Sequence, residues 1–364
     1  MSLVPDYIKN LLPYKAGKPI NQVQRELGLM DVIKLASNEN PLGPSKKAVE
    51  AIKKSLSDIS LYPDSNGFCL REKLSKIFNV RMDNVVLGAG SEGIMATIMR
   101  TFLNQGDHIL ATRNSFIGFR VLASSSGKKI DWVAMKNYKY DLSAMADRIN
   151  SNTKIIYLAN PDNPTGSYFN KKEFDDFMQK VPERALVILD EAYYEYASSL
   201  PDYPDSMNYR YDNVITLRTF SKSYGLAGLR VGYGFAHDNL ISNLMKVKLP
   251  FEPSVLAQVA AVAALEDQNH LKRTLVENSN QMLKIEKVFR KYNLSYIPSS
   301  ANFITLIFDN ESQASSFSDQ FLKNGIILRH LKSFGLSNCV RVTIGNELEM
   351  KTFVNKLESI LEHV

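Results

Sequence analysis

The sequence predicts an α/β fold built on a largely parallel sheet, and two observations carry that prediction. First, short apolar runs at residues 108–112, 129–135, 154–159, 185–189 and 213–217 alternate with amphipathic stretches at 116–124, 142–149 and 171–181. Such alternation implies parallel strands joined by crossover helices that cover both faces of the sheet. Second, the chemically unusual residues cluster just after these apolar runs. An open α/β sheet forms its binding crevice at the carboxyl ends of its strands.

Length and composition bound the remainder. At 364 residues, 45% hydrophobic and 23% charged, the chain can fill two cores, which predicts a large and a small domain. We divide it into residues 1–31, an arm and part of the small domain; 32–252, the large domain; and 253–364, a connecting helix and the small C-terminal domain. The net charge of +6 is carried by scattered lysines such as Lys46-Lys47, Lys53-Lys54 and Lys171-Lys172, with no run of five or six like charges. That pattern reads as a solvated surface with no nucleic-acid partner, and a modest positive field favours anionic substrates. Cys69 and Cys339 lie far apart and read as reduced, in a cytoplasmic protein; five dispersed histidines predict no metal site. No apolar run is long enough to span a membrane, and residues 1–10 lack the pattern of a signal peptide.

In chain order, a short helix is expected at 21–29, bounded by Pro13 and Gly17-Lys18-Pro19. A strand at Ile33-Lys34-Leu35 then runs into the polar turn Asn38-Glu39-Asn40-Pro41. A helix follows at 44–56 with Pro44 in its first turn, and then Leu61-Tyr62-Pro63-Asp64, where the tyrosine before proline is held extended. The stretch 84–87 reads as a strand; Gly88-Ala89-Gly90-Ser91 turns it into a helix running to about Leu103. Backbone N–H groups at such a helix start, with the helix dipole behind them, suit an anion. Phe116 lies in the loop after the 108–112 strand, and Asn160-Pro161-Asp162-Asn163-Pro164 places two Asx-Pro turns after the next buried strand but one. The run 185–189 ends in Asp190, a carboxylate at the end of a buried strand, where it is costly unless a cation or donor meets it. From Pro253 the pattern is long and helical to about Tyr292. Strands at 301–308 and 339–345 and a helix at 312–323 complete the chain, with Arg329 after Ile326-Ile327-Leu328 and Arg341 inside an alternating strand. An arginine there needs an anion or a carboxylate, and a surface salt bridge is the alternative reading; two arginines meeting one ligand would suit a doubly charged phosphate better than a single carboxylate.

The stretch around which these are organised is Thr219-Phe220-Ser221-Lys222-Ser223-Tyr224-Gly225, with Arg230 before the strand-like run 231–235. Lys222 is expected just past a strand end, in a turn of small residues that leaves room for a ligand. A lysine amine there is a nucleophile for an aldehyde, and pyridoxal is the usual protein-bound aldehyde. Ser221 and Arg230 would serve its phosphate with a hydroxyl and a planar cation, and Asp190 would meet its protonated ring nitrogen. Tyr193, three residues after Asp190, is within reach of the phenolic oxygen.

Together these motifs resemble those of the fold-type I pyridoxal-phosphate aminotransferases and, within them, the histidinol-phosphate aminotransferases, from about Tyr14 to Gly345. The resemblance implies a mostly parallel seven-stranded sheet covered by helices, plus a smaller α+β domain built from both termini. It implies that Ala89, Gly90 and Ser91 cradle the phosphate, that Phe116 stacks on the pyridine ring and that Asn163 bonds the phenolic oxygen. Asn38 would line the substrate pocket, and Arg341 with Arg329 would grip the anionic end of the substrate. Tyr62 would reach the phosphate of the other subunit in a homodimer. Tyr14, in Tyr14-Lys15-Ala16-Gly17-Lys18, matches an element that closes over the substrate, with Ala16 where the family usually has proline. Phenylalanine at 116 lacks the hydroxyl of the tyrosine often found there, and Asp162 stands where the family often has asparagine. The implied reaction is amino transfer between histidinol phosphate and 2-oxoglutarate, giving glutamate. An aromatic amino-acid aminotransferase, a threonine-phosphate decarboxylase and a non-catalytic cofactor-binding regulator stay open as alternatives.

Overall fold

The structure is a computed structural model that describes residues 3–11, 13, 17–209 and 211–362. Seven strands form the main sheet, in the spatial order Val85–Gly88, Gly232–Phe235, Val214–Thr219, Leu186–Asp190, Thr153–Ala159, His108–Thr112, Lys129–Val133. Gly232–Phe235 runs antiparallel to both neighbours; all other adjacent pairs are parallel. The central strands are mostly apolar and, apart from the partly exposed Lys154, buried, as two-sided coverage requires. Helices Gly90–Phe102, Ile117–Ser125, Leu142–Arg148 and Lys171–Met178 connect the strands, and their inner faces supply Ile94, Phe119, Met145 and Phe174 to one continuous core.

A second core joins the two ends of the chain. Leu35 packs with Phe289, Ile304, Val342 and Phe353, which come from the Gln268–Lys291 helix, a four-stranded antiparallel sheet and the Glu347–Leu361 helix. Ile33–Lys34 pairs in parallel with Ile326–Ile327, so this stretch packs with the C-terminal part of the chain. The apolar face of Val255–Glu266 supplies Ala257, Ala260, Ala261 and Ala264 to a third cluster on the outer edge of the main sheet.

One local expectation is corrected. Pro44 is not in the first turn of its helix: the helix is Lys46–Lys54 and Ser45 is its N-cap, its hydroxyl accepting from the Ala48 N–H. A serine oxygen satisfies one of the unpaired N–H groups at the helix start, which proline cannot do. Helices Phe68–Ile77, Asp238–Val247 and Glu347–Leu361 were not expected.

Candidate active site

Three parallel strands, Thr153–Ala159, Leu186–Asp190 and Val214–Thr219, end at the same edge of the sheet, and the loops that follow them meet there. They enclose an open pocket of about 570 Å³, solvent-facing mouth included, whose walls include Asp190, Lys222, Asn163, Phe116 and Tyr193. Residues from four separate stretches of the sequence are thereby brought together.

Asp190 ends its strand almost wholly buried. Its carboxylate accepts from the Tyr157 hydroxyl at 2.8 Å and from the Ala192 N–H at 3.2 Å. Burial is the largest influence on it and raises its pKa from 3.8 to about 7, against the two hydrogen bonds, which favour the anion. No cation pairs with it among the described residues.

Lys222 lies in the turn after Val214–Thr219, its amine donating to the Ser37 carbonyl at 3.4 Å. Burial, followed by the like charges of Arg341 and Arg230, brings its pKa down from 10.5 to about 8, while Glu39 and Glu92 pull it back up. An amine in that range has a usable unprotonated fraction near neutral pH.

Ser91, Ser221 and Arg230 line the same pocket. The Arg230 guanidinium is 3.4 Å from the Ser221 hydroxyl and 3.3 Å from Glu92. The Gly90–Phe102 helix begins beside it, and a Cβ at Gly90, whose φ is +71°, would sit 2.7 Å from the Arg230 guanidinium. Only glycine lets the helix start and the arginine approach this closely. Two hydroxyls, a guanidinium and the N–H groups of a helix start form the donor set of a phosphate site.

Asn163 accepts from Arg341, which also donates to the Ala36 carbonyl at 2.8 Å. Tyr193 is buried, and its hydroxyl accepts from the Asn38 amide at 2.8 Å; burial pushes its pKa up to about 12. Asn38 itself is buried, and its side-chain oxygen is taken by the Thr343 hydroxyl, so it meets the pocket through Tyr193. Asp162 is also fully buried and accepts from the hydroxyls of Ser115 at 2.5 Å and Thr165 at 2.8 Å; burial raises its pKa to about 6. Its bond to Ser115 ties the loop of Asn163 to the loop of Phe116.

Arg329 and Arg341 face each other across neighbouring antiparallel strands, and both are buried. Both guanidiniums lie over the Phe334 ring, at 5.7 and 5.9 Å. Like charges directly opposite on a sheet repel, and an anion between them relieves that repulsion. A Cβ at Gly17 would come within 3.8 Å of Arg329, so the N-terminal arm passes beside it. Tyr14 lies outside the described residues. Tyr62 stands apart from the pocket of its own chain, 80% exposed and stacked on Phe251 at 4.3 Å.

The residues present fit pyridoxal phosphate. A buried carboxylate without a cation, an amine of lowered pKa and a phosphate donor set in one pocket complement a cationic ring that bears an aldehyde and a phosphate. Sequence reasoning missed Tyr157, whose bond to Asp190 depends on the register of two parallel strands. Among the described residues no His, Cys, Asp and Glu group has the makings of a metal site, and no helix is long and apolar enough to cross a membrane.

Comparison with known proteins agrees with this geometry. Residues 30–357 match the family model described as aminotransferase class I and II. The chain is 40% identical to histidinol-phosphate aminotransferase 2 of Carboxydothermus hydrogenoformans, over 99% of each chain. It is 42% identical to histidinol-phosphate aminotransferase of Moorella thermoacetica, over 97% of this chain and 92% of the other. The crystal structure of histidinol-phosphate aminotransferase from Sinorhizobium meliloti in complex with pyridoxal 5'-phosphate superposes with a TM-score of 0.91 at 27% identity, covering 100% of this chain and 98% of the other. The chain belongs to the class I and II aminotransferase family.

Proposed function

We propose that this protein is a pyridoxal-phosphate-dependent histidinol-phosphate aminotransferase. It interconverts histidinol phosphate and 2-oxoglutarate with imidazole-acetol phosphate and glutamate, in histidine biosynthesis, as a cytoplasmic homodimer. The observation that carries the reading is the meeting, in one pocket, of Lys222, Asp190 and the group Ser91, Ser221 and Arg230. Full-length relatives at about 40% identity that bear this name support the choice of substrate.

When bound, the cofactor supplies an electrophilic aldehyde and an electron sink for a substrate carbon that has lost its proton. Asp190 binds the ring nitrogen and keeps a proton on it, and the ion pair offsets the burial that otherwise disfavours this carboxylate. Ser91, Ser221, Arg230 and the backbone N–H groups of Ala89 and Gly90 hold the phosphate. Asn163 and Tyr193 bond the phenolic oxygen, and Phe116 packs against the ring. Lys222 Nζ would hold the aldehyde carbon, and the same amine, when free and neutral, would take the proton from the substrate Cα. Its pKa of about 8 leaves it able to accept that proton near neutrality. Arg341 and Arg329 hold the substrate's anionic end, with Asn38 supporting Tyr193 beside them and Tyr14 closing from the arm.

The exposed apolar side chains Ile59, Leu61, Tyr62, Leu249 and Phe251 support a subunit interface, from which Tyr62 reaches the phosphate site of the other subunit. A second reading, an aromatic amino-acid aminotransferase, draws on Phe334 beside both arginines, because an apolar ring there suits an aromatic substrate. Steady-state kinetics with 2-oxoglutarate decide between them. Histidinol phosphate should show the highest kcat/KM; a higher value for phenylalanine or tyrosine selects the second reading. Carbon dioxide released from threonine phosphate would replace both with a decarboxylase.

A further inference from the structure

The buried Asn40 side chain, which the proposed chemistry leaves without a task, joins three segments that meet at the lysine turn. One amide N–H donates to the Ser223 carbonyl at 2.9 Å and the other contacts the Thr274 hydroxyl at 3.1 Å, while its oxygen accepts from the Leu42 N–H at 2.9 Å. Ser223 follows Lys222 directly. Thr274 is buried on the Gln268–Lys291 helix, whose later residues Met282, Ile285 and Phe289 fill the C-terminal core.

The loop that carries Asn40 abuts the lysine turn at two further points. The Ser37 carbonyl accepts from the Lys222 amine, and a Cβ at Gly225 would lie 2.3 Å from the Gly43 carbonyl oxygen. That same oxygen accepts from His270 Nε2 at 3.1 Å, which ties the loop to the long helix a second time. A carbonyl only accepts, so the proton is on His270 Nε2. The lysine turn therefore rests on a loop that is anchored to a helix, and among the described residues Asn40 is the side chain that bonds both turn and helix.

We propose that Asn40 is a positioning residue for Lys222: by fixing the Ser223 carbonyl to the long helix, it sets the direction in which the lysine side chain leaves its turn. The proposal rests on the functional reading above, in which Lys222 is the reacting amine. The charges that face that amine are Arg341 and Arg230, which favour its neutral form, and Glu39 and Glu92, which favour its charged form. A turn released from Asn40 lets water reach the amine and moves it away from this set.

The test uses Asn40→Ala and Thr274→Val with two readouts. In the cofactor-free protein, acetylation of Lys222 by acetic anhydride is followed by mass spectrometry as a function of pH. In the protein loaded with pyridoxal phosphate, kcat and KM for histidinol phosphate are measured. Asn40→Ala should raise the acetylation midpoint toward that of a free lysine and lower kcat by about tenfold, with KM changed by less than about threefold. Thr274→Val, which removes Asn40's bond to the helix and keeps the His270 tie and the bond to Ser223, should move both in the same direction by less. A variant that loses thermal stability while its midpoint and kcat stay at the unaltered values overturns the proposal. If Asn40→Ala does not fold, unaltered values for Thr274→Val overturn it. An unaltered protein that does not bind pyridoxal phosphate overturns the functional reading and this proposal together; binding with unchanged variants overturns the proposal alone.

Discussion

Asp190→Asn should stabilise the cofactor-free protein at alkaline pH and weaken the loaded enzyme. The Asp190 pKa rises from 3.8 to about 7 on folding. The folded chain thus holds a proton that the unfolded chain has released, and stability falls as pH climbs through that window, with the full loss present above it. At 1.36 kcal/mol per pH unit the loss is about 4 kcal/mol. Asparagine keeps the shape and lacks the charge. Its NH₂ group would face the Tyr157 hydroxyl, which must turn from donor to acceptor, an exchange that costs about 1 kcal/mol. The variant should therefore be more stable by about 3 kcal/mol near pH 8 and slightly less stable near pH 4. Urea denaturation of both cofactor-free proteins at about pH 4, 6 and 8 measures this difference, and the other buried acids cancel in the comparison. Pyridoxal phosphate should then reverse the order at the highest pH, because a ring cation relieves the carboxylate and offers an amide nothing. A stability difference that is the same at all three pH values refutes the reasoning.

Three further outcomes follow from the site. Lys222→Ala should bind pyridoxal phosphate that dialysis removes and should lose turnover; substantial remaining activity contradicts the assignment of the amine. Arg329→Ala should lower kcat/KM for histidinol phosphate by about tenfold to a hundredfold, the worth of a charge-assisted bond, and should affect phenylalanine much less. An equal loss on both substrates removes the argument for a phosphate at that arginine. The fully buried Arg218 donates to Glu191 at 2.8 Å and stacks on Tyr194. Arg218→Met alone should cost about 3–5 kcal/mol in urea denaturation, and adding Glu191→Leu should restore much of it; a double variant as unstable as the sum of the singles contradicts the pairing.

Much of the main sheet was legible because its signals are local. Apolar runs with turn chemistry after them mark Leu186–Asp190 and Val214–Thr219 within a residue or two, and the carboxylate and lysine at their ends stand out against those runs. The partners of these groups were not legible, because they depend on tertiary placement. Tyr157 meets Asp190 only through strand register, and Asn38 meets Tyr193 and Thr343 across 155 and 305 residues of chain. Asn40 reads as an ordinary turn asparagine until the lysine turn and the long helix are seen on either side of it. The Phe68–Ile77 helix begins after a left-handed Gly67, and the Phe68 N–H is met by Asp64, three residues before that glycine, so the usual cap position carries no signature. Glu347–Leu361 did carry one: Asn346 and Glu349 form a capping box, a pattern present in the sequence but not used.

The central claim is tested most directly by a single half-reaction. The protein is saturated with pyridoxal phosphate and mixed with histidinol phosphate in the absence of any keto acid, while its absorbance is followed. The account predicts stoichiometric loss of the visible band of lysine-bound cofactor, and its return on adding 2-oxoglutarate. A band that ignores histidinol phosphate, or that responds only to phenylalanine or tyrosine, would contradict it.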